Sequence, residues 1–337
     1  MDKAKYQAVF CLSFLLLAAV FIASLAIGRY PVPFGDTVLI VLSNFFVIEQ
    51  SWDSLQEAAV MTLRMPRTVA AVIIGASLSL SGAVYQSIFK NPMVSPDLLG
   101  VQAGACVGAA IAMLLGAGGA VIQLFAFTFG LAAVTVAVAI PRLIRNESLT
   151  VLVLSGIVIS SLMMSVLNLI KFVADTDTKL AEITYWIMGS FAMITLGEIL
   201  AVLPAVILPA AVILAMRFRL NVLSLGDNEA KTLGVNLRAV RAVFILCSTL
   251  MTASCVWLAG SVGWVGLVVP HIARMVIGSD NKKMLPIALL FGATFMLVID
   301  ILCRTLTSAE LRLGILTGII GAPFFIFVLF KQRRQIS

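Results

Sequence analysis

Eight stretches of this chain contain no Asp, Glu, Lys or Arg: 6–28, 68–89, 98–141, 148–170, 199–216, 242–273, 284–299 and 313–330. A helix needs about 20 apolar residues to cross the hydrocarbon core of a bilayer, and a crossing segment must satisfy its own backbone groups. Six of the stretches are about one span long. The stretch 98–141 is broken by Gly116-Ala-Gly-Gly119 and reads as two spans. The stretch 242–273 is too long for one span and short for two. Its break lies at 260–266, and reading it as two gives ten. With 61% hydrophobic and 12% charged residues, the chain carries more apolar surface than a soluble core needs. The expectation is an all-α polytopic membrane protein of about ten transmembrane helices, with 1–337 forming a single domain.

Charge placement orients these helices. With the N-terminus inside and ten crossings, Arg29, Arg64, Arg67, Lys171, Lys179, Arg304 and Arg312 fall outside. The other 16 of the 23 basic residues fall inside, as the positive-inside asymmetry requires. A single crossing over 242–273 would move Arg274, Lys282 and Lys283 outside and weaken that bias. Both termini are therefore expected on the cytoplasmic side. The net charge of +7 then reflects orientation rather than nucleic-acid binding, because the basic residues are dispersed among loops. The first apolar run is too long for the core of a signal peptide, and no A-x-A-like site follows it, so it is expected to be helix 1, over about 7–28.

One long polar island interrupts the apolar pattern. Residues 221–241 read NVLSLGDNEAKTLGVNLRAVR and carry Asp227, Glu229, Lys231, Arg238 and Arg241 around a short amphipathic core. A loop of that size, helix-forming and basic at its end, suits a docking surface for a soluble partner. Chemistry of the chain's own is harder to place. HExxH and paired aspartates do not occur, and no lysine follows a glycine, so a phosphate-binding GxxxxGK[ST] loop is excluded. The chain does not hydrolyse nucleotide by itself, and no cofactor or metal pattern appears. Its single histidine, His271, sits beside Pro270. Asp300 is the only acid well inside a predicted span. Pairing with Arg304, one turn along the same helix, is favoured over a proton relay. The cysteines at 11, 106, 247, 255 and 303 lie in predicted helices without a CxxC pair, which reads as small buried hydrophobes.

Along the chain, 29–62 is expected to be an outside loop with one short helix, and helix 2 to run over about 64–89. Asn91-Pro-Met93 is expected to form a tight inside turn, since proline disfavours helix in the residue before it. A further inside turn is expected over 142–149. Trp186-Ile-Met-Gly189 should form a short interfacial helix within the second outside segment, 172–195, and helix 6 should end at Met216. Glycines cluster in the helices, at Gly75 and Gly82, at Gly100, Gly104 and Gly108, and at Gly314, Gly318 and Gly321. Close helix packing is the ordinary use of such spacing; a permeation path lined by small residues is the sharper one. Gly82 lies ten residues before Pro92, and Gly260 ten before Pro270. Helices 2 and 7 cross in opposite senses, so this echo fits either an inverted repeat or coincidence.

Several motifs in order carry a family pattern. They are Arg64-Met-Pro-Arg67, Gly75-Ala-Ser-Leu-Ser-Leu-Ser-Gly82-Ala-Val-Tyr-Gln86, and Asn91-Pro-Met-Val-Ser-Pro-Asp97-Leu-Leu-Gly100. After them come Trp186-Ile-Met-Gly-Ser190 and Leu225-Gly-Asp-Asn-Glu-Ala-Lys-Thr-Leu-Gly234. The last two are Gly263-Trp-Val-Gly-Leu-Val-Val-Pro-His271-Ile-Ala-Arg274 and Gly314-Ile-Leu-Thr-Gly-Ile-Ile-Gly321-Ala-Pro-Phe324. Over about 60–330 the chain resembles the FecCD-type permeases, membrane subunits of ABC importers for iron–siderophores, haem and cobalamin. The first sixty residues match in hydropathy alone. The resemblance implies ten helices per subunit, an identical or sister permease as partner, an ABC ATPase dimer and an extracytoplasmic substrate-binding protein, in a bacterial or archaeal cytoplasmic membrane. It implies an iron–siderophore chelate as cargo, with haem or cobalamin as alternatives. By resemblance Leu225, Gly226, Asp227, Glu229, Ala230 and Gly234 match the segment that couples to the ATPase. Arg64, Arg67 and Arg304 match arginines that meet the binding protein, where reversing all three charges should abolish docking. Asn91, Met93, Leu149 and Thr150 match turns narrowing the cytoplasmic mouth. Three positions depart from the pattern. Met93 stands where leucine is usual, the EAA signature of other importers survives only as Glu229-Ala-Lys, and Ser261 stands where proline is frequent. An ion-coupled carrier or a membrane-embedded enzyme is the alternative class.

Overall fold

The computed structural model describes residues 2–146, 148–234 and 236–336, with side chains for all of these except Asp227, Asn228, Lys231 and 328–336. The charges expected at Lys231 and in the basic tail at Lys331, Arg333 and Arg334 lie outside the described side chains. The first helix, α1 (Lys3–Ala26), is followed by a short one, α2 (Phe34–Ser43). The next begins earlier than the apolar run suggests. Asp53 accepts from the backbone of Gln56, whose side chain reaches back to the Asp53 N–H. This reciprocal cap starts a helix ahead of the charged Glu57. The helix continues from α3 (Ser54–Glu57) through a π-wound turn (Ala58–Arg64) into α4 (Met65–Ile88).

The chain then makes a short 3-10 turn (Pro96–Leu99) and proceeds through α5 (Val101–Leu114), α6 (Gly119–Leu143), α7 (Leu149–Val173), α8 (Lys179–Ile187) and α9 (Leu196–Leu225). It ends in α10 (Asp227–Thr232), α11 (Leu237–Ala259), α12 (Val265–Ile277), α13 (Asn281–Thr305) and α14 (Leu313–Ile336). Helix α9 thus extends past Met216 and takes in the first residues of the polar island. The interfacial helix expected around Trp186 is α8. Seven helices are long and apolar enough to cross a membrane, and α5, α12 and α14 supply shorter apolar crossings. The expected count of about ten is therefore met. No strand occurs among the described residues.

Helix α4 forms the axis of the bundle, touching α1, α9, α11, α12 and α13. Glycine makes that possible. A Cβ at Gly75 would overlap the Gly292 carbonyl of α13, and one at Gly82 would overlap the backbone of Gly266 in α12. Gly104 and Gly108 meet α6 backbone at Phe129 and Phe125 in the same manner. Close packing is thus the use these glycines serve. Of the cysteines, Cys106, Cys247, Cys255 and Cys303 are buried thiols and Cys11 is exposed, all unpaired.

Two stretches enter the bundle without forming helix. Helices α4 and α11 lie side by side, with Ser81 donating to the Ser248 carbonyl at 3.3 Å and Cys255 level with Ile74. Ala259 is therefore one turn beyond Ile74 toward the arginine-bearing start of α4, yet Gly266 packs beside Gly82. By helix rise the chain descends roughly 18 Å between Ala259 and Gly266, more than the roughly 10 Å seven helical residues would cover and within the roughly 23–25 Å seven extended ones could. Residues 260–264 thus enter the bundle as non-helical chain, bent at Gly260 (φ 73°) and Trp264 (φ 70°), and α12 begins part-way through it. The ring of Pro96 lies against Gly266, so 91–96 enters similarly from the opposite end. Non-helical backbone at such depth is tolerated only where protein or a cavity surrounds it.

Candidate functional site

At one end of the bundle α9 breaks at Gly226 and α10 follows. Gly226 accepts from the Ala230 N–H at 3.0 Å, which starts the short helix. Ala230 is fully buried, while Leu225 and Leu233 are 64% and 61% exposed. Glu229 is exposed and lies beside Gly226. Gly234 closes the segment at φ 74° with open space around it. Asp227 is helical in its backbone; its side chain lies outside the described residues. The segment is therefore a short helix with one small residue facing inward and leucines facing out.

The turn after α4 lies at the same end. Lys90 adopts φ 51°, the Asn91 N–H donates to the Gln86 carbonyl at 3.2 Å, and the Met93 N–H donates to Asn91 Oδ1 at 2.9 Å. Met93 is 52% exposed. Leu149 packs on the cluster that contains Ile88 and Val94, and Thr150 is exposed. Ser148 caps α7 by accepting from Val151.

At the opposite end the three arginines come together, but as packed groups. Arg64 donates to the carbonyls of Leu25 at 2.8 Å and Ala26 at 2.7 Å, and to that of Tyr30, closing the end of α1. Arg67 donates through Nε and Nη2 to Asp300 Oδ1 at 2.9 and 2.7 Å, and through Nη2 to Glu310 Oε1 at 2.7 Å. Arg304 pairs with Asp300 Oδ2 at 3.0 Å and donates to the Ser24 and Ile27 carbonyls. All three are buried, as is Asp300. The expected pairing of Asp300 with Arg304 is present, and Arg67 joins it from α4. Together with Arg29, Tyr30 and Glu310 the arginines line a cavity of about 250 Å³.

A second acid, half-buried, stands where the chain has entered the bundle, and reading the apolar runs misses it. Asp97 follows Pro96 at the point where the chain turns into α5. The Gln102 amide, oriented to satisfy both neighbours, donates to Asp97 at 2.7 Å and accepts from Ser261. This links the two non-helical stretches. Asp97 stands one residue ahead of an uncharged run, so hydropathy assigns it to a loop. Only Pro92 and Pro96, which keep 91–96 out of helix, hint that the loop itself enters the bundle.

No cluster of metal-ligating side chains occurs among the described residues. Helices broken part-way and small residues at their crossings are features of membrane transport proteins. The FecCD transport family matches residues 16–331, and the chain belongs to that family. It is 36% identical over 322 residues to the molybdate import system permease protein MolB of Haemophilus influenzae, covering 95% of this chain and 94% of that one. It is also 36% identical to a probable iron chelatin transport system permease of Helicobacter pylori, covering 88% and 89%. A solved structure described as a metal-chelate-type ABC transporter in an inward-facing conformation superposes with TM-score 0.86 at 35% identity, covering 96% of this chain and 99% of that one. The chain is thus the permease subunit of an ABC importer, a membrane-spanning protein whose ATP is hydrolysed by a partner. Family membership displaces the ion-coupled carrier and the embedded enzyme.

Proposed function

We propose that this permease carries an iron–siderophore-type chelate across a bacterial or archaeal cytoplasmic membrane. It works beside an identical or sister permease, with an ABC ATPase dimer on the α10 end and a substrate-binding protein on the arginine end. The observation that carries this reading is α10 itself: a helix one and a half turns long, set off by Gly226, with Leu225 and Leu233 exposed at its flanks. Exposed leucines rimmed by the charged Glu229 suit an interaction surface for a soluble partner. The excess of basic residues expected at that end supports a cytoplasmic position for it and for both termini. The likeness to a metal-chelate-type transporter along nearly the whole chain supports the cargo class. Molybdate is the second reading, favoured by the 36% identity to MolB over 95% of the chain; haem and cobalamin are further alternatives. Asn91, Met93, Leu149 and Thr150 narrow the cytoplasmic mouth in this reading.

Proteoliposomes holding the complete importer should accumulate a radiolabelled ferric siderophore when ATP is supplied on the α10 side. Accumulation of molybdate with none of the ferric chelate would replace the first cargo by the second. In the same vesicles Glu229→Lys should lower substrate-stimulated ATP hydrolysis about tenfold, the effect of roughly 1.4 kcal/mol lost at a contact, with unchanged protein yield. Normal stimulation would remove α10 from the coupling role. Glu229 is the better probe than Gly234, because a bulky residue at φ 74° strains the backbone whatever it docks against.

The arginine end is proposed to receive the binding protein. Its side chains are committed to Asp300, Glu310 and the end of α1. Reversing all three charges would therefore break internal packing as well as docking. The contact is better assigned to the rim of the cavity, where Glu310 is partly exposed.

A further inference from the structure

A chain of side chains joins the helices that bear the coupling helix and the turn at the mouth. Asn221 lies in the last turns of α9, just before Gly226 and α10. Its Nδ2 donates to Asp280 Oδ1 at 2.7 Å, and its Oδ1 accepts from the Asn281 N–H at 2.8 Å. Asp280 and Asn281 open α13, with Asp280 capping the Lys282 N–H at 3.0 Å. Asn281 is buried, and its Oδ1 lies 2.8 Å from Ser87 Oγ in the last turn of α4. One turn after Ser87 comes Asn91, whose side chain shapes the turn that presents Met93.

The Ser87 hydroxyl has one proton and two acceptors in reach. Asn281 Oδ1 and the Ala83 carbonyl of its own helix are both 2.8 Å away. A hydroxyl donates one hydrogen at a time. When α13 moves away, Ser87 keeps a full hydrogen bond by turning to Ala83, so parting the two helices leaves no buried hydroxyl unpaired on α4. Contacts within a packed apolar core have no such substitute. The link is thus one that can break and re-form.

We propose that Asn221, Asp280, Asn281 and Ser87 form a detachable linkage that carries displacement of α10 to the Asn91–Met93 turn, so that engagement by the ATPase is read at the mouth of the path. The inference rests on the coupling and mouth roles proposed above. These four are positioning residues: none need touch cargo or nucleotide.

The test uses the complete importer in membranes, with Cys11→Ser and Met93→Cys making position 93 the accessible thiol. The readout is its labelling rate by a membrane-impermeant maleimide, with and without a non-hydrolysable ATP analogue. The Cys11→Ser Met93→Cys chain should change rate about fivefold on adding the analogue, the lower end of ordinary allosteric couplings. Adding Asn221→Asp sets a second carboxylate against Asp280 and should remove that response while ATPase binding and thermal midpoint hold. Adding Asp280→Asn to it restores a donor opposite an acceptor and should bring the response back. Ser87→Ala should also lose it and Ser87→Thr, which keeps the hydroxyl, should retain it. A full response in Asn221→Asp and Ser87→Ala would overturn the linkage and leave the roles of α10 and Met93 standing. Loss of ATPase binding in Asn221→Asp would place the residue in docking and equally overturn the linkage. Failure of the Cys11→Ser Met93→Cys chain itself to respond would overturn the mouth role, and the linkage with it.

Discussion

Replacing Asp300 by alanine is expected to abolish accumulation of folded protein. Asp300 is fully buried and faces two guanidinium groups, Arg67 at 2.7 Å and Arg304 at 3.0 Å. Its removal leaves Arg304 with backbone carbonyls and the Ser24 hydroxyl, and Arg67 with Glu310 alone. Breaking a buried ion pair from one side costs about 3–5 kcal/mol, because the remaining charge stays desolvated. That is a large part of the 5–15 kcal/mol typical of a whole domain. By contrast Lys179→Ala, which breaks the exposed pair with Glu182, should shift stability by at most about 1 kcal/mol. Detergent-solubilised yield and thermal midpoint compare the two. An Asp300→Ala chain melting with the parent would show that Arg304 is held by its carbonyl contacts and Arg67 by Glu310.

Gly82→Leu is expected to cost nearly as much, for a steric reason. The obstacle to a side chain at position 82 is the carbonyl group of Gly266, part of a backbone that cannot rotate away as a side-chain tip would. Overpacking in a tight core costs about 1–3 kcal/mol and sometimes more, and here α4 would have to part from α12. Gly82→Ala should already be destabilising. Gly35→Leu, where an added Cβ would meet nothing within 4 Å, serves as control. If Gly82→Leu and Gly35→Leu gave equal midpoints, the helix crossing would be looser than described.

The crossings were legible in sequence because hydropathy reports them directly, and their glycine faces because three- and four-residue spacing reports a helix face. The arginine end was legible in composition but not in role. Arg64 and Arg67 stand out as charges at the edge of an apolar run, yet what they bind lies at Leu25 and Asp300. No local pattern encodes those distances along the chain. The non-helical stretch at 260–264 was readable as a break, since Gly260 and Gly263 interrupt a long apolar run. That it descends into the bundle follows from Gly266 finding Gly82, which is a tertiary fact. Asp97 was missed for the same reason. The linkage from Asn221 to Ser87 had no signal at all: short polar residues near helix ends ordinarily serve as caps, as Asp280 also does.

The central position of α4 has a consequence for biosynthesis. It is the least apolar of the seven long crossings and has 78% of its most apolar window buried. It is also among the first made. The partners of Tyr85, Ser81, Gln86, Ser79 and Arg67 lie 164 to 243 positions further along the chain. At ribosomal rates of about 5–20 residues per second, these groups wait roughly 10–50 s for them. During that interval a serine-rich helix bearing Arg67 has no native neighbours on most of its surface. It must be sheltered by the insertion machinery or rest near the lipid headgroups until α11, α12 and α13 emerge. A nascent chain arrested before Asp300 would present Arg67 without that carboxylate, a ready mark for membrane quality control to recognise an unfinished copy.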